Sequence, residues 1–173
     1  YAVMLATTSL GAVFSSASPD FGVDGVLDRF GQIKPVVLFA TDGYHYAGRY
    51  HDVTSRLFDL ADRMPTLPRI VVIPDTDQLE TRGPLPDRST TLADFLADHP
   101  ADRPEFLRLP FDHPLYVLYS SGTTGTPKCI VHRAGGILLK HLTEHRLHCD
   151  IRAGDHIFYF TTAGWMMWNR LAS

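Results

Sequence analysis

Residues 119–128 read Tyr-Ser-Ser-Gly-Thr-Thr-Gly-Thr-Pro-Lys, directly after the apolar run Leu115-Tyr116-Val117-Leu118-Tyr119. An apolar, β-forming run that ends in small hydroxyl-bearing residues and glycines predicts a strand followed by a tight turn. Glycine tolerates positive φ and close approach to the backbone. Such a turn can therefore aim N–H groups, hydroxyls and one ammonium at a polyphosphate. Its spacing from Gly122 to Lys128, G-x-x-G-x-x-K, is not the G-x-x-x-x-G-K-[ST] of a P-loop. On composition alone, an ordinary Gly/Ser/Thr turn between two strands serves as well.

Outward from this turn, strand and helix patterns alternate. Tyr1 to Leu10 predicts the end of a helix, stopped by Gly11 and followed by a strand at Ala12-Val13-Phe14. Ser18-Pro19-Asp20 reads as an N-cap, a first-turn proline and a first-turn acid for a short helix carrying Phe21, Val26, Leu27 and Phe30. The unbroken apolar runs Pro35–Ala40 and Arg69–Ile73 predict strands covered on both faces. Asp42-Gly43 predicts a turn, and Asp52 to Met64 an amphipathic helix. Residues 74–90, rich in proline and acids, predict a surface loop, and Thr91 to Asp98 a short helix. Lys128 to His132 predicts a strand, Ala134 to His148 a helix, and Ile157-Phe158-Tyr159-Phe160 a further strand. The alternation implies an α/β fold with a largely parallel sheet flanked by helices. Ligands of such sheets bind beyond the strand carboxyl ends, where residues 120–127 fall. Three segments are expected: 1–73 as a first α/β part, 74–114 as a loop-rich connection, and 115–173 with the turn.

The 173 residues are 45% hydrophobic and 20% charged, an ordinary soluble globular composition sufficient for one domain. A net charge of −3 argues against a nucleic-acid partner held by its phosphates. The apolar start at Tyr1 lacks a basic leader and is too short to span a bilayer, so no membrane span is expected. Cys129 and Cys149 have no metal or redox spacing and read as free thiols in a reducing, cytoplasmic setting. A chain that begins within a helix and stops on Trp165-Met166-Met167-Trp168-Asn169-Arg170-Leu171-Ala172-Ser173 reads as an excised piece.

In order as well as composition, Ser-Ser-Gly-Thr-Thr-Gly-Thr-Pro-Lys resembles the phosphate-binding signature of the adenylate-forming enzymes. The resemblance covers nearly the whole chain. Gly11-Ala12-Val13-Phe14-Ser15-Ser16, Asp28-Arg29-Phe30, Val131-His132-Arg133-Ala134-Gly135-Gly136-Ile137-Leu138-Leu139 and Gly164-Trp165-Met166-Met167-Trp168-Asn169 are similar to the acyl-CoA synthetase subgroup. It implies part of the large N-terminal domain of an acid–thiol ligase, using ATP, Mg2+ and CoA and acting on small-molecule substrates. Acetoacetate is the acid implied, with acetate and propionate as alternatives. By the same resemblance, Ser120, Ser121, Gly122, Thr123, Thr124 and Gly125 hold the β- and γ-phosphates. Lys128 adds a charge in the chemical step, or else orders the loop by bonding carbonyls. Trp165, Met166 and Met167 wall the acyl pocket. Ser15, Ser16 and Arg49 lie near the CoA nucleotide, although Tyr46 replaces a second arginine found in some relatives. The magnesium-binding acid, the ribose-binding aspartate and the C-terminal domain with its lysine are expected downstream of Ser173. The piece alone is expected to be inactive.

His141-Leu142-Thr143-Glu144-His145 spells H-x-x-E-H, but a zinc site needs a third protein ligand and none is identifiable. No metal site is expected, and the histidines predict a polar, solvent-facing helix side. A non-catalytic nucleotide-binding module of the same fold is the competing function class.

Overall fold

The computed structural model describes residues 1–75, 83–99, 103–121 and 125–173. It divides into two compact units, one formed by Tyr1–Ser18 with Pro104–Ser173 and the other by Pro19–Arg103.

In the unit Pro19–Arg103, the β-branched runs form the predicted parallel sheet. Strand β1 (Val37–Thr41) pairs in parallel with β4 (Arg69–Ile73), and β4 with the short β5 (Ser89–Thr91), in the order β1-β4-β5. β4 is central, and its Ile70, Val71 and Val72 are 1%, 0% and 0% exposed. Helix α2 (Val23–Ile33) buries Phe30, and α3 (Thr54–Arg63) buries Leu57, Leu60 and Ala61. Arg88 donates from its guanidinium to the carbonyls of Ala61, Pro65 and Leu67, supplying partners for carbonyls that the end of α3 leaves open. Helix α4 (Leu92–Ala97) is capped by Thr91, whose hydroxyl accepts from the Asp94 N–H.

Three expectations are corrected in this unit. Helix α2 starts after Gly22, not at Ser18, and Gly22 makes no side-chain cap. Of the expected turn pair Gly43 belongs to a strand, and Asp42, at the bend before it, is buried. It is 1% exposed and accepts from the Asp75 N–H at 2.8 Å, fixing the end of β1 to the end of β4. Gly43 instead opens an antiparallel hairpin, β2 (Gly43–Tyr46) and β3 (Arg49–Asp52). The hairpin turns through Ala47 and Gly48 with φ of 50° and 73°, the pair of positive angles expected of a type I′ connection. Gly43 is required by close approach, since a Cβ there would stand 2.0 Å from the Tyr50 hydroxyl. β5 takes the end of the segment read as loop and the first residue of the helix read after it, and residues 76–82 of the loop segment fall outside the described residues.

In the other unit, α1 (Ala2–Ser9) ends as predicted at Gly11. The Gly11 N–H bonds the Thr8 carbonyl and the Ala12 N–H the Thr7 carbonyl, the paired bonds of a Schellman motif. Strand β6 (Pro114–Tyr119) pairs with β7 (Cys129–Arg133), and this pair is antiparallel. The predicted strand at 12–14 contributes a single parallel bridge, Phe14 to Tyr116. Met4, Tyr116 and Leu118 form the core, with Phe14 from the segment after α1, Ile137 from α5 (Ala134–Thr143), and Trp168 and Ala172 from α6 (Met166–Ala172) packed on it.

The predicted helix 134–148 is α-helical only to Thr143, and Glu144–His148 continues as a π-helix. Residues 157–160 are not a strand. Phe158 and Phe160 are 85% and 79% exposed, because no described strand lies beside this apolar run to complete its hydrogen bonds. No helix among the described residues is long and apolar enough to cross a membrane.

Candidate functional site

β6 delivers the glycine-rich turn. Tyr116 to Tyr119 are buried, so the strand is anchored, and the chain emerges at Ser120 and Ser121. The Ser120 N–H donates to the Lys128 carbonyl at 3.0 Å, closing the turn at its base beside the last strand pair, Tyr119 and Cys129. Gly122, Thr123 and Thr124, half of the predicted phosphate loop, lie outside the described residues. On the far side Gly125 has φ of +138°, a conformation open in practice only to glycine. Pro127 is buried and fixes the return into β7, while Lys128 is exposed.

The Ser120 and Ser121 hydroxyls and the Lys128 ammonium make no hydrogen bond or ion pair with the described residues. The alternative role for Lys128, bonding backbone carbonyls to order its own loop, therefore finds no support among them. Ser120, Ser121 and Lys128 thus offer donors that no described residue engages, on a base fixed by a buried strand. That arrangement suits charge developing on a phosphate oxygen.

The Trp165–Met167 segment belongs to the same unit. The Trp165 N–H donates to the Thr162 carbonyl at 3.0 Å, which turns the chain into α6. Trp165 and Met166 are 63% and 41% exposed, whereas Trp168 stacks on Phe14 at 6.5 Å in the core. The segment thus splits into an exposed leading edge and a buried anchor.

Ser15 and Ser16 are engaged in the fold. Ser15 Oγ donates to the Val117 carbonyl at 2.7 Å and also meets the Tyr119 hydroxyl, and Ser16 Oγ donates to the Ala163 carbonyl at 2.5 Å. These bonds tie the segment after α1 to β6 and to the loop before α6, and leave each hydroxyl its acceptor lone pairs. Arg49 is exposed on β3 in the other unit, without a partner among the described residues.

The histidine-bearing helix differs from expectation. His141 is buried, its Nδ1 bonded to Ser173 Oγ at 2.7 Å, and His145 Nε2 meets the Arg170 carbonyl at 2.9 Å. α6 packs on this side, so it is a helix–helix contact and not a solvated face. Among the described residues no group of three His, Cys, Asp or Glu is placed to hold a metal ion. Glu144 is the hub of the charged groups here, accepting from Lys140, from His148 at 3.2 Å and facing Arg170 at 3.5 Å. The Lys140 hydrogen bond, then that of His148, hold its pKa down to about 2. Burial, with His145, His132 and Arg170 adding to it against Glu144, pushes His141 below its ordinary 6.5, and burial alone does the same to His132.

These shifts set the sign of a pH dependence. Both imidazoles take up protons more readily in the unfolded chain. Their contribution to stability is complete above pH 6.5 and is lost as pH falls through their depressed folded values. Glu144, depressed from 4.5, contributes above pH 4.5 and loses its share as pH falls towards 2. Thermal stability should fall in these two stages. Glu144→Gln should flatten the more acidic stage, and His141→Asn should shrink the milder one to the share of His132.

A hydroxyl- and glycine-rich turn at the end of a buried strand suits a phosphate group. The chain belongs to the family of AMP-binding enzymes, whose family model matches residues 1–169. It is 55% identical over 174 residues to the acetoacetyl-coenzyme A synthetase of Rhizobium meliloti (strain 1021), covering 99% of this chain and 26% of that protein. To the acetoacetyl-CoA synthetase of Gallus gallus it is 49% identical over 175 residues, 98% of this chain and 26% of that one. Among solved structures it is similar to acetoacetyl-CoA synthetase from Streptomyces lividans. The TM-score is 0.86 and the identity 48%, over 98% of this chain and 25% of the other. The chain spans about a quarter of the length of the curated relatives it matches.

Proposed function

We propose that this chain is part of an acid–thiol ligase that activates acetoacetate with ATP and transfers the acyl group to CoA. The observation that carries the reading is the near full-length likeness of the chain to acetoacetyl-CoA synthetases, with uncommitted donors at the turn where the family resemblance puts the phosphates.

In the first step a carboxylate oxygen of acetoacetate attacks the α-phosphorus of ATP, and the bond to the pyrophosphate oxygen breaks. Negative charge gathers on the leaving pyrophosphate. Ser120, Ser121, Gly122, Thr123, Thr124 and Gly125 hold its oxygens, and Lys128 stabilises the charge that develops. In the second step the CoA sulfur attacks the acyl carbon and AMP leaves with its electron pair. Trp165, Met166 and Met167 wall the acyl chain, and Ser15, Ser16 and Arg49 are the proposed neighbours of the CoA nucleotide. Mg2+ bound with ATP would neutralise phosphate charge, and the described residues hold no cluster of carboxylates to bind it. The remaining parts of the nucleotide site and a C-terminal domain belong to the longer protein. Cys129 and Cys149 are exposed and form no disulfide, which fits a cytoplasmic setting.

The test is product analysis with the intact gene product. Acetoacetate, MgATP and CoA should yield equal amounts of acetoacetyl thioester, AMP and pyrophosphate. Thioester formation from acetate or propionate only would move the acid, and MgATP binding without any thioester would leave a non-catalytic module.

A further inference from the structure

Asn169 lies on α6, one turn after Met166, in an otherwise largely apolar run from Trp165 to Leu171. It is 2% exposed, and neither Oδ1 nor Nδ2 hydrogen bonds to a described residue. A buried carboxamide with both ends unpaired is costly, and native chains rarely keep one without a partner from outside the fold. Its position on the helix sharpens the point. Trp168 and Ala172 form the stripe of α6 that packs on Met4, Tyr116 and Leu118. Asn169 is about 100° around the helix from Trp168, on the side that carries Met166 one turn before it and Ser173 one turn after. Ser173 Oγ bonds the Asn169 carbonyl at 2.6 Å and His141 Nδ1 at 2.7 Å, so the backbone at Asn169 is pinned and only the amide head is uncommitted. Thr162 Oγ1, in the turn that leads into α6, is also buried and unpaired. Unpaired polar groups therefore flank the Trp165–Met167 wall on both sides in sequence.

We propose that Asn169 is a specificity residue of the acyl site, its Nδ2–H donating to the 3-oxo oxygen of the acid. This rests on the acyl-activating reading above and names what that reading leaves open. The Trp and Met side chains of the wall offer a ketone only apolar surface and an indole edge. A neutral amide suits a neutral carbonyl, keeps its donor at every working pH and adds no charge that a second carboxylate would need. A plain alkyl chain in the same place would leave the amide unpaired, which is the condition under which a polar site rejects an analogue.

The experiment compares acetoacetate with butyrate, which has the same chain length and lacks the ketone oxygen, by kcat/KM for ATP–pyrophosphate exchange in the intact protein. Asn169→Leu should lower the acetoacetate-to-butyrate ratio about 10- to 100-fold, with butyrate unchanged or improved. Asn169→Ala answers the same question should the leucine variant fail to fold, and MgATP binding checks that each variant is native. An unchanged ratio in a native variant would overturn the proposal, including when both acids lose activity equally, since a packing role affects them alike. The wild-type rates separate this from the broader reading: exchange with acetoacetate together with an unmoved ratio sinks only the role of Asn169. No exchange with acetoacetate in the wild type sinks both.

Discussion

Lys128→Ala in the intact protein is expected to lower acid-dependent ATP–pyrophosphate exchange by about 10²- to 10³-fold, the range typical of losing one donor to a developing oxyanion. Lys128 ends the turn that β6 fixes, its carbonyl is held by the Ser120 N–H, and its ammonium is exposed and engages no described group. Removing the side chain therefore costs the fold little, and the loss should appear in kcat more than in the thermal midpoint. Gly125→Val should reach a similar loss by another route, because φ of +138° is closed to a β-branched residue and the turn must deform. A Lys128→Ala enzyme within threefold of wild type would return the lysine to a solvated surface charge.

The largest expected effect on stability lies in the parallel sheet. Ile70 is 1% exposed at the centre of β4, paired with Leu38 of β1 and Ser89 of β5. Ile70→Ala should destabilise the unit Pro19–Arg103 by about 2–5 kcal/mol, since it removes buried methyl groups where strands on both sides limit collapse of the cavity. Val36→Ala, at a position 73% exposed, should stay within about 0.5 kcal/mol. Both tryptophans, Trp165 and Trp168, belong to the other unit. Far-UV circular dichroism in denaturant therefore reads the effect of Ile70→Ala, with tryptophan fluorescence reporting the unit that is not mutated.

The parts legible in the sequence are those where one physical signal dominates. Pro35–Ala40 and Arg69–Ile73 are apolar runs, and β1 and β4 sit there; β4 is buried from Ile70 to Val72, whereas β1, at the sheet edge, buries only Leu38 and leaves Val36 before it exposed. The stripe Leu57, Leu60, Ala61 and Met64 specifies the buried face of α3 and its exit. The misses have reasons of the same kind. β5 is Ser-Thr-Thr, a strand held by pairing with β4 and not by apolar burial. The β2–β3 hairpin has aromatics and histidines without clean alternation, and Ala47-Gly48 was its one turn signal. His141 looked solvent-facing because its helix is read alone, whereas its burial is decided by α6, some 25 residues later in the chain.

The site divides likewise. The order of residues after Tyr119 carries the family resemblance at the turn, but periodicity cannot say that β7 returns antiparallel, nor that Ser15 and Ser16 spend their hydrogens on the carbonyls of Val117 and Ala163. Asn169 stands with Arg170 as the polar pair in a run of tryptophans, methionines and leucine. Its signal was that a carboxamide in an apolar helix run requires a partner, and the run itself contains none.

The most direct measurement is isotope exchange between ATP and pyrophosphate by the intact gene product, without CoA, with acetoacetate, acetate and propionate compared at equal concentration. Exchange that depends on added acid and is fastest with acetoacetate is the predicted result, because it reports reversible acyl-adenylate formation before any thiol is present. Exchange fastest with acetate or propionate would contradict the acid, and no exchange with any of them in a protein that binds MgATP would contradict the enzyme.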